Sequence, residues 1–127
     1  MTNWFEPLPD KCPPETAFIP NGQVFYRLAK SGTVISEEFL SQRAKCPTCK
    51  FNDVTECVAR SISLWNDISE CLNVLKLPRH KKHASKSVIM ILTLNSNDGL
   101  LLNTFKPNHF SWWRSNSFIL TSVTITK

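Results

Sequence analysis

The chain has 127 residues, 42% of them apolar and 20% charged, with 15 lysines and arginines against 10 aspartates and glutamates. This length fits a single domain, and the balance excludes wholesale disorder and any need for a metal or disulfide staple to support a core. No apolar run approaches the ~18–20 residues that cross a bilayer. Residues 1–7 lack the basic and apolar regions of a secretory leader, so a cytoplasmic chain free of the membrane is expected.

Charge is unevenly divided. Residues 1–70 carry seven basic and nine acidic side chains, whereas residues 71–127 carry eight basic ones against Asp98 alone. Like charges summed over one region raise the local potential and the encounter rate with anions. The C-terminal half is therefore expected to meet an acidic partner, either a nucleic acid or an acidic protein surface.

Residues 1–22 hold five of the eight prolines, Pro7, Pro9, Pro13, Pro14 and Pro20. Proline fixes φ and removes an amide donor, so this stretch is expected to be an extended arm, docked on the domain through Trp4, Phe5, Leu8, Phe18 and Ile19. Residues 23–127 are read as the single domain. Asn21-Gly22 marks a turn, and residues 23–28 are rich in strand formers. Ser36, Glu37 and Glu38 supply an N-cap and an acidic first turn for a short helix over 36–43, which Pro47 stops from continuing. Residues 46–53 read as a loop. Val58, Arg60, Ile62 and Leu64 alternate with Ala59, Ser61 and Ser63, predicting a strand over 54–64. A longer helix follows over 66–77, with Ile68, Cys71, Leu72 and Leu75 as its buried stripe, Lys76 in its last turn and Pro78 beyond it.

Residues 79–86 form a basic linker. Residues 87–94 are nearly all apolar, the pattern of a strand covered on both faces. Asn95 to Gly99 reads as a hairpin turn, with residues 100–105 returning beside 87–94. Pro107-Asn108 ends that strand, and residues 118–125 form the last one. These elements predict an α+β domain with a mostly antiparallel sheet of about five strands, one longer and one short helix, preceded by the Pro-rich N-terminal arm.

The sharpest local pattern is Cys46-Pro47-Thr48-Cys49. Such a turn can place two thiolates on one tetrahedral zinc ion, with His80 and His83 as the remaining ligands. A zinc ribbon would want a second Cys-x-x-Cys, which the chain lacks, so zinc is the lesser expectation and no other cofactor is in view. Five cysteines are an odd count, and in a cytoplasmic chain they are expected to stay reduced. Further on, His109, Phe110, Trp112, Trp113 and Arg114 form a dense cluster on which planar groups could stack while Arg114 supplies charge. There is no glycine-rich phosphate loop and no Gly-x-Ser-x-Gly elbow.

Arg27 on the first strand, followed by Ser61-Ile62-Ser63 on a later strand leading into a helix, resembles the order of the ADP-ribosyltransferases. The resemblance covers those two strands. It implies that the arginine and serine hold NAD, while in that family a glutamate polarises the ribose. No glutamate follows Glu70 here and Asp98 falls in a turn, which leaves His109 as the residue to take over part of that role.

The primary expectation is a binding module, not an enzyme. Phosphate contacts come from Arg79, Lys81, Lys82 and Lys86, and His109, Trp112, Trp113 and Arg114 add stacking or apolar anchorage. An NAD-dependent ADP-ribosyltransferase-like protein and a zinc-stabilised structural module are the alternatives.

Overall fold

The computed structural model describes residues 3–30, 35–74, 87–120 and 123–126. Its elements run β1 (Gln23–Lys30), α1 (Ile35–Glu38), α2 (Gln42–Lys45), α3 (Glu56–Ala59), β2 (Ile62–Trp65), α4 (Ile68–Asn73), β3 (Ser87–Leu94), β4 (Gly99–Asn103), β5 (His109–Arg114) and β6 (Thr124–Thr126). All strand pairs are antiparallel, in the order β4-β5-β2-β1-β3-β6. The class is α+β, with six strands among the described residues where about five were expected. None of the described helices is long and apolar enough to cross a membrane.

The longest ladder joins β1 to β3 through eight consecutive pairs, from Gln23↔Leu94 to Lys30↔Ser87. Phe25 and Ala29 of β1 and Val88, Met90, Leu92 and Leu94 of β3 turn one face inward. There they meet Ile62 and Leu64 of β2, Leu101 of β4, Trp112 of β5, and Phe39 and Phe118 from the connections. Ile89 on the other face of β3 is also buried, as a strand apolar on both sides requires.

The hairpin expected between residues 87–94 and 100–105 does not form. Asn95 to Asp98 does turn, with Asp98 N–H bonded to the Asn95 carbonyl at 3.0 Å, but β4 pairs with β5 at the opposite end of the strand order. In a flat sheet β3 and β4 would stand four spacings apart, roughly 19 Å at the usual strand separation. A four-residue turn with its Cα ends within about 7 Å cannot carry the chain from Leu94 to Gly99 over more than about 15 Å. The sheet must therefore curl, bringing its two ends together around the core. Phe18 sits where they approach. It bonds Leu101 on the outer edge of β4 in both directions (2.8 and 2.9 Å), four residues before Gly22 N–H reaches the Leu94 carbonyl. Gly99 has φ +129°, and a Cβ there would run into the Trp113 carbonyl and stand 2.9 Å from Trp112 Nε1. Only glycine fits this corner.

Three expectations, two for helices and one for a strand, are corrected. The helix over 36–43 is two four-residue turns, because Ser41 is extended and caps α2, its side chain accepting from Ala44 N–H. The strand over 54–64 begins only at Ile62. Before it Thr55 caps α3 by accepting from Val58 N–H, a local bond that competes with strand pairing. The stripe proposed for α4 is only partly buried: Cys71 is buried, whereas Ile68 and Leu72 are exposed at 41% and 42%. Leu75, Lys76 and Pro78 lie outside the described residues, as do residues 79–86 of the basic linker. Among the described residues of the expected last strand, only its C-terminal end is strand, as β6, and Phe118 is a core plug between Phe39 and Trp112.

The cysteine expectation also changes. Cys12 is bonded to Cys57 and Cys46 to Cys49, with Cα separations of 5.6 and 5.4 Å that lie within the bridging range, and Cys71 is free and buried. The first bridge ties the N-terminal segment to α3. Further contacts of that segment are Trp4 bridging Ser115, Phe5 N–H to the Arg114 carbonyl, the Pro7 carbonyl accepting from Arg60, and the Glu6 carboxylate accepting from both Ser41 N–H and its hydroxyl.

Candidate functional site

The sheet has one thin seam. β1 and β2 share a single registered pair, Tyr26↔Trp65. Continued, the ladder would set Leu28 opposite Ser63, and those backbone groups would bond each other. Instead the Arg27 side chain fills the gap, with Nη1 donating to the Ser63 carbonyl and Nε to the Glu38 carbonyl, both at 2.8 Å. The short ladder leaves these carbonyls without a strand partner, and the guanidinium supplies the donor to both, the Glu38 one part-buried and the Ser63 one exposed. Nη2 makes no hydrogen bond among the described residues. Burial lowers the Arg27 pKa, with Glu38 and then Cys71 opposing.

The same junction assembles a row of rings. Tyr26 pairs with Trp65, and Trp65 with His109 on β5, so three residues on three neighbouring strands project from one face. The Trp65 and His109 rings meet edge to face at 4.9 Å, and Phe105 extends the row at 5.5 Å from His109. Ser63 and Ser111 form the adjacent pair.

His109 is held by the connection between β4 and β5. Its Nδ1 lies 3.1 Å from both the carbonyl and the hydroxyl of Thr104. A carbonyl can only accept, so Nδ1 carries the proton and Nε2 keeps the lone pair. Burial pushes the His109 pKa down, the Thr104 carbonyl opposes, and the charges of Lys106 and Arg27 push it further down. The imidazole is therefore neutral at pH 7. Asn103 Nδ2 fixes the connection by donating to the carbonyls of Lys106, Pro107 and His109 at 2.8–3.0 Å.

The other residues singled out in the sequence are placed differently. Trp112 and Trp113 are fully buried, with Nε1 atoms donating to the Asp98 and Cys57 carbonyls at 2.9 and 2.8 Å. Their faces are packed in the interior and offer no stacking surface. Arg114 is buried too, bonded to the Phe39 carbonyl and lying 3.6 Å over the Phe5 ring. It anchors the N-terminal segment and presents no charge to a partner. His80, His83, Arg79, Lys81, Lys82 and Lys86 lie outside the described residues. Cys46 and Cys49 have their sulfurs joined, so in this state neither offers a thiolate. Among the described residues no cluster of three or more His, Cys, Asp or Glu is placed to hold a metal ion. Burial pushes the Cys71 thiol up to about 11, against a smaller pull from Arg27, so it is protonated and a poor nucleophile.

Arg27 thus meets Ser63 only through the Ser63 backbone carbonyl, from the core-facing side of β1, while the Ser63 and His109 side chains belong to the opposite face of the sheet. Tyr26, Trp65 and Phe105 join them without any distinguishing signal in the sequence, because strand register alone brings them into a row. Comparison with protein-family models, curated proteins and solved structures returns no match.

Proposed function

We propose that the junction of β1, β2 and β5 binds a nicotinamide dinucleotide, and that the chain is a small NAD-directed protein of ADP-ribosyltransferase-like organisation. The observation that carries this reading is the 2.8 Å contact between Arg27 Nη1 and the Ser63 carbonyl. It supports the pairing of an arginine strand with a serine strand that the resemblance implies. In this reading Arg27 keeps one bond to each carbonyl and turns Nη2 toward a phosphate, a charge-assisted contact. The exposed Ser63 hydroxyl is a polar handle on the face of His109.

The third position departs from that family. Where a carboxylate would stabilise positive charge developing on the ribose, β5 offers His109, neutral and oriented by Thr104. A neutral imidazole gives little electrostatic stabilisation but accepts a proton at Nε2. Transfer would break the bond between C1′ and the nicotinamide nitrogen, join C1′ to an acceptor atom, and pass that atom's proton to His109.

Incubation with labelled NAD tests the reading. The unaltered chain is expected to bind NAD saturably and to release nicotinamide. His109→Gln should retain binding and lose release, whereas Arg27→Ala should lose both. Thermal melts show that each variant is folded. An unaltered chain with neither saturable binding nor nicotinamide release overturns the reading.

A further inference from the structure

Lys45-Cys46-Pro47-Thr48-Cys49-Lys50 leaves α2 as a tight turn. Pro47 takes its second position, where a fixed φ suits the bend, and Cys49 N–H closes it on the Cys46 carbonyl at 3.2 Å. Such a turn alone brings its ends within about 7 Å. The two Cα atoms stand 5.4 Å apart, so the sulfur–sulfur bond does not have to hold them there. Arg43 fixes the same turn. Its Nη1 donates to the Pro47 and Cys49 carbonyls at 2.8 Å and to the Cys46 carbonyl at 3.3 Å, while Nε and Nη2 donate to the Glu56 carboxylate at 2.9 Å. Its guanidinium also lies 4.8 Å from the centre of the Phe51 ring. Glu56 is shared with Arg60 at 2.9 Å, so this cluster of two arginines and one carboxylate keeps a net positive charge beside the bridge.

We infer that Cys46–Cys49 is a redox-active bridge that exchanges with an exposed dithiol, a site separate from the junction of β1, β2 and β5. A thiolate of the dithiol attacks one sulfur of the bridge, forming a mixed disulfide and releasing the other cysteine as a thiolate. The second thiol of the dithiol then attacks its own sulfur in the mixed disulfide and expels the remaining cysteine. The dithiol leaves as a disulfide, and Cys46 and Cys49 hold its two electrons and two protons. The reverse sequence restores the bridge from a disulfide. Three features serve this cycle. The sulfurs are within reach, since Cys46 and Cys49 are half-buried and Pro47 and Thr48 between them are exposed. The turn and Arg43 keep the thiols in bridging range after reduction, and the fixed guanidinium favours the thiolate, which makes the bridge more oxidising. With a sequence separation of 3, the bridge adds little to the fold, whereas Cys12–Cys57 spans 45 and ties down the N-terminal segment.

The test titrates the full oxidised chain with dithiothreitol, traps free thiols by alkylation and assigns each bridge by peptide mass, with melting measured alongside. Cys46–Cys49 is expected to open at roughly tenfold lower dithiothreitol than Cys12–Cys57, the scale of a thiolate steadied by one fixed cation, in a chain that still melts cooperatively. Mixed with a reduced peptide carrying two cysteines, the oxidised chain should convert one peptide dithiol per chain. The folded double variant Cys46→Ser, Cys49→Ser should leave the peptide reduced over the same period. Arg43→Met removes a positioning residue and should raise the dithiothreitol needed at Cys46–Cys49 roughly tenfold, while Arg43→Lys, which keeps the charge, should recover part of that shift. Opening of Cys12–Cys57 first or at the same concentration, or equal peptide oxidation by the double variant, overturns the inference.

Discussion

The two halves of the sheet are held together by different means. In β1-β3-β6 the work is done by the backbone, through eight pairs between β1 and β3 and an apolar run on β3. In β4-β5-β2 the ladders are shorter, five pairs between β4 and β5 and four between β2 and β5, and side chains reinforce them. Trp112, Trp113, Arg114 and Ser115 each donate to a backbone carbonyl outside the ladder, and the Cys12–Cys57 bridge and N-terminal segment cover that half. Arg27 occupies the seam between them. A continuous ladder specifies its own register but leaves little freedom to place chemistry. The half whose shorter ladders are reinforced by individual side-chain bonds is where His109, Phe105 and Trp65 are presented.

That contrast can be broken by mutation. The largest effect is expected for Trp112→Ala, which empties a fully buried site and strands the Asp98 carbonyl, for a loss of about 5 kcal/mol in denaturant unfolding. Next comes removal of the Cys12–Cys57 bridge as a double serine variant. Its sequence separation of 45 gives about 4 kcal/mol from loop entropy, against about 2 kcal/mol for the separation of 3 in Cys46–Cys49. Equal losses for the two bridges would show that the N-terminal cover contributes less than claimed. Arg27→Met leaves the Ser63 and Glu38 carbonyls without their donor, for about 3 kcal/mol, and amide exchange should quicken at the seam before it does along β1 and β3.

The smallest effect depends on pH. Because the folded pKa of His109 lies below its ordinary 6.5, the unfolded chain takes up the proton first as pH falls. Stability is therefore complete above about pH 6.5 and declines below it, by at most about 1.4 kcal/mol per pH unit, until the folded pKa is passed. Unfolding measured at several pH values should show this decline in the unaltered chain and lack that component in His109→Gln.

How much of this was legible in the sequence varies by element. The first and third strands were, because Gln23 onward is rich in strand formers and residues 87–94 are apolar throughout. The strand order was not, since Asp98-Gly99 looks the same whether its flanks pair or diverge to opposite ends of a curled sheet. β5 was missed because a dense aromatic run between turn residues reads equally as a surface cluster. Its tryptophans are interior because their indole N–H groups find carbonyls at Asp98 and Cys57, partners 14 and 56 residues away. Arg27 and Ser63 could be named from their order along the chain.

The pairing of Tyr26 with Trp65 has a practical consequence. The chain has one tyrosine and four tryptophans. Trp65, Trp112 and Trp113 belong to β2 and β5, and Trp4 bridges Ser115 just beyond β5, so β1, β3 and β6 carry no indole. Intrinsic emission accordingly reports one side of the molecule. The lone phenol, opposite an indole across the seam, is a built-in donor whose energy transfer to Trp65 would drop when the two sides part, giving an optical ruler for that opening without any added label.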